Sequence, residues 1–141
     1  MNGTNCDLEF ANNAVIPPVI PEGDHYEVVF MRAEKAKMWG QDKVFLWFKV
    51  ITSGPWVGTE FYMACTVPPK GQWTASCKYW CQWVLAHGDR PKRGDRLSTK
   101  AFRGKVFRAR IRTVKKTSKQ SDRTLAQQYS VIDELVERLT G

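Results

Sequence analysis

Apolar and polar residues alternate with a period of two over much of the chain and switch to a helical period in one short stretch. From Tyr26 the run YEVVFMRAEKAKMW sets Tyr26, Val28 and Phe30 on one side against Glu27, Val29 and Met31 on the other, which predicts a strand. Its polar half, Arg32 to Lys37, is expected to bend or leave the sheet, and Trp39-Gly40-Gln41-Asp42 reads as a turn. Lys43 to Thr52 is the clearest strand. Val44, Leu46, Phe48 and Val50 form one face, Lys43, Phe45, Trp47, Lys49 and Ile51 the other, and the two lysines favour placing the second face outside. Ser53-Gly54-Pro55 turns the chain into a third strand from about Val57 to Val67, closed by Pro68-Pro69-Lys70-Gly71. Three strands joined by short turns predict an antiparallel meander.

The period changes in SCKYWCQWVLAH, residues 76–87. Here Cys77, Trp80, Cys81 and Val84 recur at i, i+3, i+4 and i+7, the stripe of a helix packed on a sheet. Thr74 or Ser76 suits its start, and Gly88 its end in the left-handed conformation. Alternation returns from Arg103 to Lys116, with Phe107, Ala109 and Ile111 facing one way and Arg108, Arg110 and Arg112 the other. Residues 115–128 read as a polar loop, Tyr129 to Ile132 as a last strand, and Leu135, Val136 and Leu139 as the apolar side of a short terminal helix. This order predicts a mainly β fold: a five-stranded OB-type Greek-key barrel with a helix between strands three and four and a short C-terminal helix. Another small α+β sheet or barrel is the alternative. Pro17, Pro18 and Pro21, with four asparagines before them, exclude a helix or central strand from residues 1–22. That stretch is expected to be an extended arm with freedom to move, and 23–141 a single domain.

Charge sharpens the picture. Lys and Arg number 22 against 14 Asp and Glu in 141 residues, a net +8 that favours a polyanionic partner. The excess is local: residues 89–119 hold thirteen Lys/Arg and two Asp/Glu, and the rest of the chain is net acidic. Arg108, Arg110 and Arg112 share one face of their strand, where like charges repel unless an anion lies across them. Guanidinium is planar and both forks and stacks, so phosphate or base contact suits it; a solvated face is the plainer reading.

Aromatic residues make up 12% of the chain, including six Trp. Phe45 and Trp47 share a face with Lys43 and Lys49, the pattern of a platform on which bases stack while ammonium groups hold phosphates. Trp39 in the first turn, Tyr62 on the third strand, and Lys115 and Lys116 in the polar loop complete a candidate nucleic-acid surface, because strands two and three and the loops 1–2 and 4–5 carry oligonucleotides in an OB barrel. If the faces of strand two were reversed, Phe45 and Trp47 would be core instead.

Catalytic signatures are not found. There is no GxxxxGK[ST] or GxGxxG motif, and neither His25 nor His87 sits in a triad signature, so no enzymatic activity and no cofactor is expected. Cys6, Cys65, Cys77 and Cys81 lack a C-x-x-C knuckle and are expected to be free thiols rather than metal ligands. The longest apolar run, Val44 to Phe48, falls far short of the ~18 residues of a membrane span. With no basic n-region before Arg32, the chain is expected to be cytoplasmic.

Three segments, YEVVFMRAEKAK, KVFLWFKVITSGPWVGTEF and LSTKAFRGKVFRARIRTV, in this order resemble small OB-type proteins of bacteriophages and mobile elements. Asp24-His25-Tyr26 stands where that group opens its domain. Gly54 and Gly58 bracket its G-x-x-G-like turn, and Phe102-Arg103-Gly104-Lys105-Val106-Phe107 carries its F-x-G-K-x-F segment. The resemblance covers roughly residues 23–132 and implies single-stranded DNA binding in replication or recombination. Arg138-Leu139-Thr140-Gly141 departs from the acidic, Phe-tipped tail of housekeeping single-strand binding proteins, which puts partner recruitment through such a tail in doubt. RNA or duplex binding remains a variant of this reading. The competing class is a module that docks a host replication or defence protein. Surplus Trp also suits a homo-oligomer interface.

Overall fold

Five strands and one α-helix make up the regular structure of the computed structural model, which describes residues 7–11, 16–117 and 119–140. Cys6, Ser118, Gly141 and the remainder of the N-terminal arm lie outside the described residues. The strands are β1 (Gly23–Met38), β2 (Gln41–Val50), β3 (Glu60–Val67), β4 (Val106–Val114) and β5 (Tyr129–Arg138), and the helix α1 is Lys78–His87. All pair antiparallel in one sheet of order β3-β2-β1-β4-β5. β3 and β5 come within 8 Å of each other at Cα positions without pairing, so the sheet is curled but not closed.

Period-two patterning places the core as expected. Val44, Leu46, Phe48 and Val50 of β2 are buried, as are Phe61, Met63 and Cys65 of β3 and Phe107, Ala109 and Ile111 of β4. Burial pushes the Cys65 thiol up to about 11. β1 is longer than its alternation suggested. Its polar half stays in the sheet because a bulge at Met31, between Phe30 and Arg32, keeps the ladder to β2 running as far as Met38 opposite Gln41.

The C-terminal segment departs from the expected helix. Residues 129–138 form one strand with two irregularities: Ala109 and Arg108 pair with Leu135 and Glu137, while Ile111 and Arg110 pair with Ile132 and Glu134. Val136 and Asp133 are the extra residues. Each bulge shifts the alternation by one position, so Ile132 and Leu135 both face the core three residues apart, a spacing that mimics a helix.

α1 forms and ends at Gly88 (φ 97°) as the sequence indicates, but the buried face differs. Tyr79, Gln82, Trp83 and Ala86 are buried, whereas Trp80 is half-buried and Cys81 exposed. The buried side chains satisfy backbone groups that would otherwise be orphaned. The Tyr79 hydroxyl donates to the Leu97 carbonyl (2.8 Å) and Trp83 Nε1 to that of Ser98 (3.0 Å). The Gln82 amide accepts from Leu135 N (2.6 Å) and donates to Leu135 O (3.3 Å), completing the ladder beside the bulge.

Part of the arm is packed. Ile20 is buried, Ser130 N donates to the Pro18 carbonyl (3.1 Å), and Ile20 N donates to Ser130 Oγ (2.9 Å). Residues 17–22 thus lie against the start of β5, whereas Leu8 and Phe10 are exposed. Among the described residues no helix is long and apolar enough to cross a membrane.

Candidate nucleic-acid interface

The outward face of β2 meets that of β3 in a row of rings. Phe45 and Trp47 each set a ring edge-on to Tyr62, both with centroids 5.2 Å away, and Tyr62 reaches Tyr129 of β5 at 6.3 Å. The row exists because Trp47 pairs with Tyr62 and Phe45 with Ala64 in the β2–β3 register, and because the curled sheet brings β5 round to β3. Burial, then the hydrogen bond with Tyr129, raises the Tyr62 hydroxyl above its usual range, so it stays protonated and uncharged.

Where β3 and β5 fail to pair, a cleft of about 280 Å³ opens. Trp39, Phe45, Tyr62 and Tyr129 line it with Lys43, Lys78 and Arg112, and among the described residues no carboxylate is in its lining. Trp39 stands at the tip of the β1–β2 hairpin, 79% exposed, at φ 50°. Lys43 Nζ donates to Thr66 Oγ1 across the strand pair (2.6 Å). Five of the residues expected at a nucleic-acid surface therefore converge here: Trp39, Lys43, Phe45, Tyr62 and Arg112. Tyr129 and Lys78 join them unforeseen, Tyr129 having been legible only as a strand start and Lys78 only as a polar helix position.

The other expected residues are placed elsewhere. Trp47 lies on the outward face, as read, but is only 8% exposed. The Arg32 guanidinium covers its ring at 4.6 Å, held there by Glu60 (2.5 Å) and Glu34 (3.2 Å). An accessible ring is thus corrected to a covered one: the hydrophobic surface is closed laterally by neighbours on β1 and β3. Lys49, opposite Glu60 in the register, does not line the cleft.

The arginine face of β4 also needs correction. Arg108 pairs with Glu137 (3.3 Å) and Asp24 (3.6 Å), Arg110 with Glu134 and with Asp133 (3.8 Å), and Arg112 with Asp133 (2.9 Å). β5, whose bulges put Asp133 and Glu134 beside these guanidiniums, relieves the repulsion that an external anion was invoked to relieve. Lys116 pairs with Asp122, and neither it nor Lys115 lines the cleft. Of the three arginines, only Arg112 borders it.

This separates two variants. Arg112→Ala is expected to reduce the slope of log affinity against log salt for an oligothymidylate by about 0.7, the value of one phosphate contact on a single strand. Arg110→Ala is expected to leave the slope unchanged and to cost the fold no more than about 1 kcal/mol, as an exposed ion pair does. Binding isotherms at several salt concentrations, with a urea melt of each variant, measure both.

Comparison of the chain with family models, with curated proteins and with solved structures finds no match.

Proposed function

We propose that this chain is a non-enzymatic, OB-type single-stranded DNA-binding protein of a phage or mobile element, acting in replication or recombination. The observation that carries the reading is the cleft between β3 and β5: among the described residues its lining holds four aromatic residues and three cations and no carboxylate. Stacking on rings and pairing of phosphates with cations are the two interactions that hold single strands without regard to sequence. The strand order supports the fold part of the proposal. The order β3-β2-β1-β4-β5 with a gap between β3 and β5 is what remains of a five-stranded Greek-key barrel when one seam is left open. The bound strand would run along that seam, bases toward Phe45, Tyr62 and Tyr129, phosphates toward Lys43, Lys78 and Arg112, with Trp39 reaching over from the hairpin tip.

Tryptophan fluorescence titrated with an oligothymidylate, an oligouridylate and a duplex of equal length, at two salt concentrations, tests it. Quenching by the DNA single strand that weakens with salt and is poorer with duplex is the expected result. A preference for oligouridylate moves the assignment to RNA. No response to any of the three overturns the nucleic-acid reading and leaves the unpaired edges of β3 and β5 as places for a protein partner's strand.

A further inference from the structure

A second cavity, of about 520 Å³, lies on the opposite side of the β1–β2 hairpin from the cleft just described. Its walls are mostly apolar, with Val44 and Val67 from the strands and Leu97 from the loop after α1. Trp73 and Tyr79 face each other there at 5.4 Å between ring centroids, inclined by 33°. The Tyr79 hydroxyl is spent on the Leu97 carbonyl, which fixes this aromatic wall.

Lys35 and Lys37 also line this cavity. They owe their position to the bulge at Met31. Beyond it Ala33 pairs with the core residue Leu46, Lys35 with Val44 and Lys37 with Asp42, so the two lysines continue the inward-facing side of β1. Side chains on that side would be apolar if protein filled the space, yet it carries like charges two residues apart. Among the described residues Asp42 is the one carboxylate in the lining and sits 3.7 Å from Lys37, so that with Lys35, Lys37 and Lys43 the cavity is net positive. The volume, the apolar and aromatic walls and the few charged groups at one side together match a small-ligand site.

We propose that this cavity binds a nucleoside 5′-phosphate, its base against Trp73 and its phosphate on Lys35 and Lys37. The ligand is either a free mononucleotide or the 5′-phosphorylated end of a strand. Lys43 borders both this cavity and the cleft between β3 and β5, but Trp73, Lys35 and Lys37 belong to this cavity and not to the cleft, so the two sites are tested independently through them.

Calorimetric titration of the full chain with dAMP and with deoxyadenosine tests the proposal. The nucleotide is expected to bind at least about tenfold more tightly than the nucleoside. The double variant Lys35→Ala/Lys37→Ala, altering two exposed side chains, is expected to remove that difference, while Trp39→Ala keeps it. Trp73→Phe, which retains a ring, is expected to bind dAMP and to lose most of the fluorescence response to it. No binding of dAMP, or binding indifferent to the two lysines, overturns the proposal. A 5′-phosphorylated oligothymidylate that outcompetes its unphosphorylated twin in the wild type but not in the lysine variant makes the strand end the ligand; equal competition makes it the free nucleotide. Oligothymidylate binding without any dAMP response sinks this pocket alone, whereas a dAMP response without oligothymidylate binding sinks only the reading of the cleft.

Discussion

Trp47→Ala is expected to destabilise the protein by about 3–5 kcal/mol, the range for truncating a buried large aromatic. Trp47 sits outside the main core, but its ring is packed between the Arg32 guanidinium and the edge of Tyr62. Removing it would take the floor from the aromatic row and leave the Arg32–Glu60–Glu34 cluster over a void. Trp47→Phe should behave very differently. The Nε1 of Trp47 is buried with no hydrogen-bond partner, the one such side-chain atom among the described residues. An unmet buried donor costs about 1–3 kcal/mol, so its removal offsets much of the packing lost with the smaller ring. Trp47→Phe is therefore expected to fall within about 1.5 kcal/mol of the wild type, the packing lost with the smaller ring being largely offset by the removed donor. Urea melts of the two variants measure both values. Trp47→Phe should also bind oligothymidylate as well as the wild type does, because Arg32 covers the ring and no base can reach it. A Trp47→Ala protein that melts like the wild type but no longer binds would restore the ring to the binding surface.

The contrast between Trp47 and its neighbours shows what could be read in the sequence. The period of two in β2, with Lys43 and Lys49 marking the wet side, put Val44, Leu46, Phe48 and Val50 in the core as found, although Gln41 and Asp42, read as a turn, also belong to the strand. It carried no information about what lies beside a residue on the same face, and for Trp47 that neighbour is Arg32, brought into register only by the bulge at Met31. The same limit explains β4. Alternation showed that Arg108, Arg110 and Arg112 share a side, but their carboxylate partners stand on β5, where two bulges break the alternation and give Ile132 and Leu135 a helical spacing. A strand disguised in this way hid the ion pairs; Tyr129 was legible as a strand start, but not the curl of the sheet that carries it to Tyr62 and the far side of the cleft. In α1 two stripes compete at identical spacing. The one starting at Cys77 looks more apolar, yet the one containing Gln82 is buried, because the Leu135 backbone beside the β5 bulge needs an amide partner. Bulges are set by tertiary pairing, and the misreadings of Trp47, the β4 arginines and the α1 face each trace to one.

Trp39→Asn is expected to make the protein more stable and a weaker binder at once. Trp39 and Gly40 lie at φ 50° and 75°, the pair of positive angles of a two-residue type I′ hairpin turn. Such turns favour Asn-Gly, since a left-handed backbone costs an ordinary L-residue about 1–2 kcal/mol and costs asparagine less. Tryptophan recovers little of that cost through burial, being 79% exposed. Asparagine at this position should therefore raise the unfolding free energy by roughly 1 kcal/mol. If a base stacks on the indole where it overhangs the cleft, the same change removes about 1–3 kcal/mol of binding, or roughly one to two orders of magnitude in Kd. Strain kept at an exposed aromatic tip is difficult to account for by folding alone, and a ligand that uses the ring accounts for it. Thermal melts and oligothymidylate titrations on one preparation measure the two effects together. Opposite signs support the cleft as the binding site. A fall in stability would show that Trp39 packs on the fold after all, and unchanged affinity would remove the hairpin tip from the path of the strand.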